Sequence, residues 1–238
     1  MAGLRQLQRF YGDLEGRGEV ARAISLSARG GQMVLLHGNL ARAKLLLNLV
    51  AQLREHAIEH VLMLSFVERP GHPGICELLE RRGTIGSSWL TTTGPLHLRT
   101  SAQKRRLSLA YLSWLQRFRY LRLFLERAVD VLALDSDVSL LTNPYPMLNF
   151  GELKLASLIT TFDYKGGFAN TNIGFMYFRN CSLLGPVRAL LLDFEQRIAG
   201  AMALPPSVKW EARSRHASQF LWDQNVWNKA LLSALVGR

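Results

Sequence analysis

The chain has 238 residues, of which 48% are hydrophobic and 20% are charged. This composition predicts a folded globular chain of one domain or slightly more, and it excludes an intrinsically disordered protein. With only two cysteines, the chain is not a small disulfide-stapled fold. The net charge of +11 favours anionic partners such as nucleic acid, anionic lipid or phosphorylated small molecules, although an arginine-rich proteome would give the same balance.

In the first half of the chain, short apolar runs alternate with amphipathic stretches. A strand, a helix and a second strand come first, and a loop rich in proline and glycine separates them from a short helix and a short strand. The first strand is predicted at 32–37, and a turn at 38–39 leads into the helix, which runs to about residue 56. The other three elements are predicted at 61–67, 75–82 and 89–93, the last within a loop over 83–95.

The second half opens with a long helical pattern, in which leucine and aromatic residues recur every three or four positions. An apolar strand, a turn, two more strands and two helices follow. In chain order, these elements are predicted at 101–127, 129–134, 143–146, 156–162, 173–178, 182–199 and 222–235. Alternating strands and helices predict an α/β fold with a largely parallel sheet. We expect residues 31–238 to form this domain and residues 1–30 to be an N-terminal extension.

An acidic pair directly after the strand at 129–134 is the most informative feature. Asp135 and Asp137 flank one residue, so both side chains would point to the same face if the chain stayed extended. Two carboxylates that close repel each other unless a cation joins them, and Mg²⁺ or Mn²⁺ takes carboxylate oxygens while leaving positions for phosphate oxygens. The pair therefore predicts a metal site, and the alternative is a solvated turn with two unrelated aspartates.

Three blocks of the sequence stand out, at residues 130–144, 172–179 and 223–228. Together they resemble the nucleotide-diphospho-sugar transferase domain, the family that groups plant and algal glycosyltransferases with glycosyltransferase family 77. Residues 130–144 match a signature of the form DVLxxDxDVxxLxNP, with the acidic pair at its centre. Residues 172–179 resemble a strand of the form NxGFMYxR, and residues 223–228 resemble DQxxxN. Asn48 matches an asparagine in the family's first helix. The blocks stand in the family's order over roughly residues 32–228.

The resemblance implies a GT-A fold, which is a Rossmann-like, mixed and mostly parallel sheet flanked by helices. It implies that Asp135 and Asp137 bind Mn²⁺ or Mg²⁺ together with the diphosphate of a nucleotide-sugar donor. Arg117 stands where the family usually has lysine and would contact the same diphosphate, with a solvated helix cation as the alternative.

The remaining implied site residues concern the nucleotide and the sugar. Those expected near the nucleotide are His37, Gly38 and Asn39. Those expected to shape the sugar pocket are Asn172 and Gly174, the glycine because it lets backbone approach a ligand closely. Asp223 and Gln224 would bond sugar hydroxyls and assist catalysis, and helix capping is a further role for Asp223.

The implied reaction is metal-dependent and retaining transfer of a sugar from a UDP-sugar to an acceptor hydroxyl on a glycan or glycoprotein. The resemblance also implies residence in the Golgi lumen or membrane and a role in cell-wall or glycoprotein synthesis. The sequence contains neither an apolar run of the roughly 20 residues that span a membrane nor, in residues 1–17, a signal peptide. Such enzymes generally supply a further metal ligand from beyond Asn228, so we expect a substitute residue or a C-terminally incomplete domain with weak or absent activity.

Three other functions stay open at this point. The domain could be degenerate and non-catalytic. A strand followed by Asp-x-Asp also resembles the first motif of haloacid-dehalogenase-type phosphatases, which need a downstream lysine and a further acidic pair, whereas the later aspartates are isolated in the sequence. The arginines of residues 105–127 are interleaved with Trp114, Phe118 and Tyr120, a pattern that can bind nucleic acid but more often belongs to a helix that buries its aromatic residues.

Overall fold

One sheet organises the molecule. The computed structural model describes residues 10–38, 40–67, 86–91, 116–163, 170–203 and 223–236. The strands in these residues are β1 (Tyr11–Asp13), β2 (Gln32–Gly38), β3 (Val61–Val67), β4 (Gly86–Thr91), β5 (Asp130–Leu134), β6 (Leu158–Phe162) and β7 (Thr171–Phe178). Their spatial order is β1-β4-β3-β2-β5-β7-β6. The first five strands of the chain are parallel, whereas β7 runs antiparallel to both of its neighbours.

Helices flank this mixed, open sheet, which confirms the predicted α/β class. In chain order they are α1 (Glu19–Ser27), α2 (Ala43–Glu55), α3 (116–125), α4 (Tyr145–Leu148), α5 (Pro186–Ala203) and α6 (Asp223–Val236). Short 3₁₀ helices occupy Leu40–Arg42 and Gly151–Leu155. In the ranges that the structure describes, no helix is both long enough and apolar enough to cross a bilayer.

Two apolar cores lie on the opposite faces of the sheet, because successive side chains of a strand alternate between faces. In β2, Met33 and Leu35 pack into a core that also contains side chains of α3, α5 and α6. Val34 and Leu36 pack into the other core, against α2. Since the central strands are buried on both sides, they are continuous apolar runs in the sequence, which is why they could be predicted.

Most predicted elements are confirmed with ends shifted by a few residues. The strand at 61–67 is confirmed unchanged, and the strand predicted at 89–93 is β4, which begins at Gly86. The helix at 101–127 is confirmed over 116–125; its first part, like the helix at 75–82, lies outside the described residues.

Two of the shifted boundaries involve proline. The turn predicted at 143–146 instead leads directly into α4, and α5 begins at Pro186 rather than at residue 182. Proline suits the start of a helix because its φ is already helical and its missing N–H would have no partner there. The prolines therefore set the starts of these two helices.

The beginning of the described chain joins the sheet and the core, although neither β1 nor α1 was predicted. β1 pairs in parallel with β4, and Phe10 and Leu14 are fully buried. The hydroxyl of Tyr120, on α3, donates to Oε1 of Glu15 at 2.6 Å, and Arg119 pairs with the same oxygen at 3.4 Å. The segment between β1 and α1 is thus fastened to α3.

Candidate functional site

The carboxyl ends of β2 and β5 meet where the strand order reverses. These strands pair in parallel, with Leu36 opposite Leu134. From β2 the chain continues to β3 on one side, whereas from β5 it continues to β6 and β7 on the other. Ligands of open α/β sheets bind in the crevice that forms at such a reversal. His37 and Asp135, the residues that follow this pair, stand at that edge of the sheet.

Arg117 of α3 bonds to the end of β5. Its Nη1 donates to Oδ1 of Asp135 at 2.6 Å, and its Nη2 donates to the carbonyl oxygen of Ile173 at 3.1 Å. Arg117 is 3% exposed, whereas the side chain of Asp135 is 37% exposed. Arg117 is therefore not a solvated helix cation: it fixes one oxygen of an aspartate whose carboxylate still reaches solvent.

Gly174 of β7 lies against the same carboxylate. A Cβ at this position would stand 2.8 Å from Oδ1 of Asn172, which is too close, and 3.3 Å from Oδ2 of Asp135, which is tight. The carbonyl of Gly174 accepts a hydrogen bond from the backbone N–H of Asp135 at 2.8 Å. Asn172 uses its Oδ1 to accept the N–H of Gly174 at 2.6 Å. Glycine at this position therefore lets the backbone of β7 lie close to Asp135, and the side chain of Asn172 holds that backbone in place.

Asp223 begins α6 and is buried, with 7% exposure. Burial raises the pKa of its carboxyl from 3.8 to about 6; the positive charge of Arg117 opposes this rise and the negative charge of Asp135 adds to it. Its Oδ1 accepts the N–H of the next residue, Gln224, at 2.9 Å, whereas a helix-capping side chain accepts the N–H two or three residues further on. Arg117 therefore interacts electrostatically with an aspartate from each of two sequence blocks, Asp135 from 130–144 and Asp223 from 223–228.

Asp163 belongs to this region although no motif in the sequence indicates it. It follows β6, and its Oδ2 accepts a hydrogen bond from Nε2 of Gln224 at 2.7 Å. The first turns of α6 are also tied to β7, since Oδ1 of Asn228 accepts from both the N–H and the hydroxyl of Thr171 at 2.9 Å. In the sequence Asp163 is an isolated aspartate, and no local pattern marks it.

The structure describes two of the three residues predicted near the nucleotide, and it gives them different surroundings. Burial, aided by the positive charge of Arg117, lowers the pKa of His37 from 6.5 to about 3, so its ring is neutral at physiological pH. A Cβ at Gly38 would collide with the side chain of Leu46 on α2, so packing alone accounts for this glycine. Asn39 lies outside the described residues.

Asp137 does not share the extended geometry that the sequence argument assumed. Residues 136–137 form a turn, in which the N–H of Val138 donates to the carbonyl of Asp135 at 3.2 Å. The condition of that argument, that the chain stays extended from Asp135 to Asp137, is therefore not met. Asp137 is exposed. Within the part of the chain that the structure describes, no three His, Cys, Asp or Glu side chains are grouped so that they could hold a metal ion.

The loop that follows Asp137 is braced by the end of α2. Oε1 of Gln52 accepts the N–H of Leu140 at 2.9 Å. Nε2 of His56 lies 3.2 Å from the carbonyl oxygen of Leu140, to which it can only donate. Both bonds hold the backbone of one residue, so the loop's far end is fixed even though Asp137 itself is exposed.

The aromatic residues of α3 do not form the surface that nucleic-acid binding would need. Phe118 and Tyr120 are 0% and 1% exposed, so neither can stack on a base. Arg122 is bonded to Glu126 and Glu195 rather than free for phosphate. For these residues the structure agrees with the amphipathic helix that buries its aromatic side chains; Trp114 lies outside the described residues.

Comparisons with known proteins add no relative. No family model matches the chain, and a search of curated proteins finds no significant match. The likeness of the three sequence blocks to the nucleotide-diphospho-sugar transferase domain therefore stays a resemblance.

Proposed function

We propose that the protein is a glycosyltransferase of GT-A type, which transfers a sugar from a nucleotide-diphosphate sugar, a UDP-sugar in the first instance, to a hydroxyl of a glycan or glycoprotein. The observation that carries the proposal is the grouping of Arg117, Asp135 and Asp223 at the carboxyl end of β5. The group stands beside the reversal of strand order, the usual ligand position of such sheets. Residence in the Golgi belongs to the same proposal.

The donor set of the acidic pair suits a hard divalent ion. Mg²⁺ is commonly held by one or two protein carboxylates, with phosphate and water completing its shell. Arg117 engages Oδ1 of Asp135, and Gly174 leaves no side chain in front of Oδ2. Asp135 and Asp137 would hold Mn²⁺ or Mg²⁺. The bound ion would neutralise the diphosphate as it leaves the sugar.

The chain's own residues would bind and orient the donor. Arg117, buried and bonded to Asp135, supplies a fixed positive charge beside the diphosphate position. Asp223 is largely ionised above pH about 6, and a carboxylate in that state accepts hydrogen bonds from sugar hydroxyls. Gln224 lies next to it on the first turn of α6. Neutral His37 adds no second positive charge at the end of β2.

A donor screen tests the proposal. The melting temperature is measured with UDP and with each of several UDP-sugars, with and without Mn²⁺, since a ligand that binds only the folded state raises it. We expect a rise that needs Mn²⁺ and that Asp135→Asn and Asp137→Asn abolish. Asp193→Asn on α5, whose aspartate pairs with Arg197, is the matched control and should leave the rise unchanged.

Other outcomes point to the other functions. Binding of UDP-sugar without transfer to any acceptor supports a degenerate, non-catalytic domain. Hydrolysis of a generic phosphomonoester that Asp135→Asn abolishes supports a phosphatase. If both aspartate variants respond to UDP-sugar and Mn²⁺ as the unchanged protein does, the metal-dependent transferase is excluded.

A further inference from the structure

The contact between Asp163 and Gln224 determines the orientation of an amide on the first turn of α6. An amide has a donor end and an acceptor end that are told apart only by their hydrogen-bond partners. A carboxylate only accepts hydrogen bonds. Since Oδ2 of Asp163 lies 2.7 Å from the Gln224 amide, the nitrogen Nε2 must face Asp163. The carbonyl oxygen Oε1 is then the end directed away from Asp163.

The amide is also fixed in position. Gln224 is the second residue of α6, and α6 is bonded to the start of β7 through Asn228 and Thr171. Asp163 is itself held at the end of β6, where its N–H donates to the carbonyl of Asn170 at 3.0 Å. The segments that carry both partners are therefore held in place, which keeps the amide within reach of Asp163.

Strand β7 ties this amide to the site. Thr171 at its start is bonded to Asn228 of α6, and Gly174 three residues later lies against Asp135, a group that the proposed function places beside the donor. Asp223, next to Gln224, also interacts with the charges of Arg117 and Asp135. An Oε1 presented there matches a ligand O–H, which donates. It does not match an ether oxygen, a phosphate oxygen or a fluorine, which cannot donate and would leave the carbonyl unpaired.

We propose that Asp163 is a positioning residue that turns the Gln224 amide into a hydrogen-bond acceptor for a hydroxyl of the donor sugar. This inference rests on the proposed function and adds a requirement to it: the donor must carry a free hydroxyl at the position facing Gln224. The sequence does not single out Asp163, because the contact joins residues that are 61 positions apart.

The first test compares UDP with the UDP-sugar that gives the largest stabilisation, both in the presence of Mn²⁺, by calorimetric titration. The unchanged protein should bind the UDP-sugar more tightly than UDP. Asp163→Ala should lose about tenfold of the affinity for UDP-sugar, equivalent to about 1.4 kcal/mol, and keep its affinity for UDP within about twofold. Asp163→Asn should keep most of the affinity, because its Oδ1 can still accept from Nε2.

A reversed pair makes the test independent of any loss of folding in the alanine variant. Gln224→Glu alone sets two carboxylates against each other and should lose the preference for UDP-sugar. Combining it with Asp163→Asn restores a donor–acceptor pair, and the glutamate still presents an acceptor to the sugar. We therefore expect the double variant to recover the preference, a coupling that a double-mutant cycle measures.

Results that contradict the inference can be distinguished from results that contradict the proposed function. If Asp163→Ala weakens UDP and UDP-sugar equally, or if the reversed pair recovers nothing, Asp163 has only a structural role and the inference is wrong while the proposed function stands. If the unchanged protein binds neither UDP nor any UDP-sugar, the proposed function fails and the inference fails with it. Asp193→Asn, away from this contact, should match the unchanged protein throughout.

Discussion

Two arginines of α3 show how one helix serves two purposes. Arg122 pairs with Glu126 and Glu195, and Glu126 also pairs with Arg188, so two positive groups meet two negative groups. Arg117, earlier on the same helix, bonds to one carboxylate, that of Asp135.

The two clusters differ most in their balance of charge. The Arg122 cluster is neutral as it stands, and it joins α3 to α5 as an ordinary helix-to-helix contact. Around Arg117 a second acid, Asp223, lies close enough for its pKa to respond to both Arg117 and Asp135. Once Asp223 ionises, that cluster carries more negative than positive charge. An excess of this kind is what a bound cation would neutralise, so the comparison separates a structural network from a candidate ligand site.

The largest expected effect comes from removing the buried guanidinium. Arg117→Met leaves the carbonyl of Ile173 without its donor and Asp135 beside Asp223 without compensation, so we expect a loss of about 4 kcal/mol of unfolding free energy. Arg122→Met should lose only about 1–2 kcal/mol, because Arg188 still pairs with Glu126. Urea unfolding at pH 7.5 measures both.

Ligand binding should separate the same two variants further. Arg117→Met removes a positive charge beside Asp135, so affinity for Mn²⁺ should be kept or increased while affinity for UDP falls. Arg122→Met should change neither. Equal effects of the two variants on stability and on binding would erase the distinction drawn between the clusters.

A second effect, of about 3 kcal/mol, concerns the pH dependence of stability. Because burial raises the pKa of Asp223 from 3.8 to about 6, the folded state binds more protons than the unfolded state between these values. Its stability therefore falls as pH rises through that window, by about 3 kcal/mol in all. Asp223→Asn keeps an oxygen for the N–H of Gln224 and cannot ionise, so it should be the more stable protein at pH 7.5 and match the unchanged protein near pH 4.

Denaturant unfolding of both proteins from pH 4 to pH 8 gives the difference curve. His37 acts in the opposite sense, since its lowered pKa removes stability as pH falls from 6.5 towards 3, but it is present in both proteins and cancels in the difference. Two parallel curves would mean that Asp223 titrates normally, and the effect of burial on its pKa, which sets it apart from the acids of the Arg122 cluster, would be excluded.

The smallest effect tests the brace on the loop after Asp137. Gln52→Ala removes the acceptor of the Leu140 N–H, which should lower the unfolding free energy by about 1 kcal/mol. If this brace also orders the acidic loop, the affinity for Mn²⁺ should fall severalfold, as read by Mn²⁺ titration. Gln196→Ala on α5 is the matched glutamine control and should leave Mn²⁺ binding unchanged.

The sequence was a good guide wherever a feature is local. Strands β2, β3 and β5 are continuous apolar runs because both faces of the sheet are buried, and Asp135 could be placed because it directly follows one of them. Strand β1 spans Tyr11–Asp13 only, too few residues for any periodicity to show.

The parts of the site that the sequence missed depend on contacts between distant segments. Arg117 was a candidate through the resemblance, but its bonds to Asp135 and to the carbonyl of Ile173, near the start of β7, depend on how the fold brings these segments together. Asp163 gains its partner only when α6 returns to the sheet. The turn at 136–137 is decided by the backbone after the strand, which alternation of side chains cannot predict.

Tyr120 links the start of the described chain to the candidate site. Its hydroxyl donates to Glu15, and Tyr120 lies on the same helix as Arg117. The segment after the first strand is therefore bonded to the helix that carries Arg117. Truncating the protein beyond Glu15, for example to obtain crystals, would remove this hydrogen bond. A shortened protein that no longer responds to a ligand would then report a loosened helix rather than a missing activity.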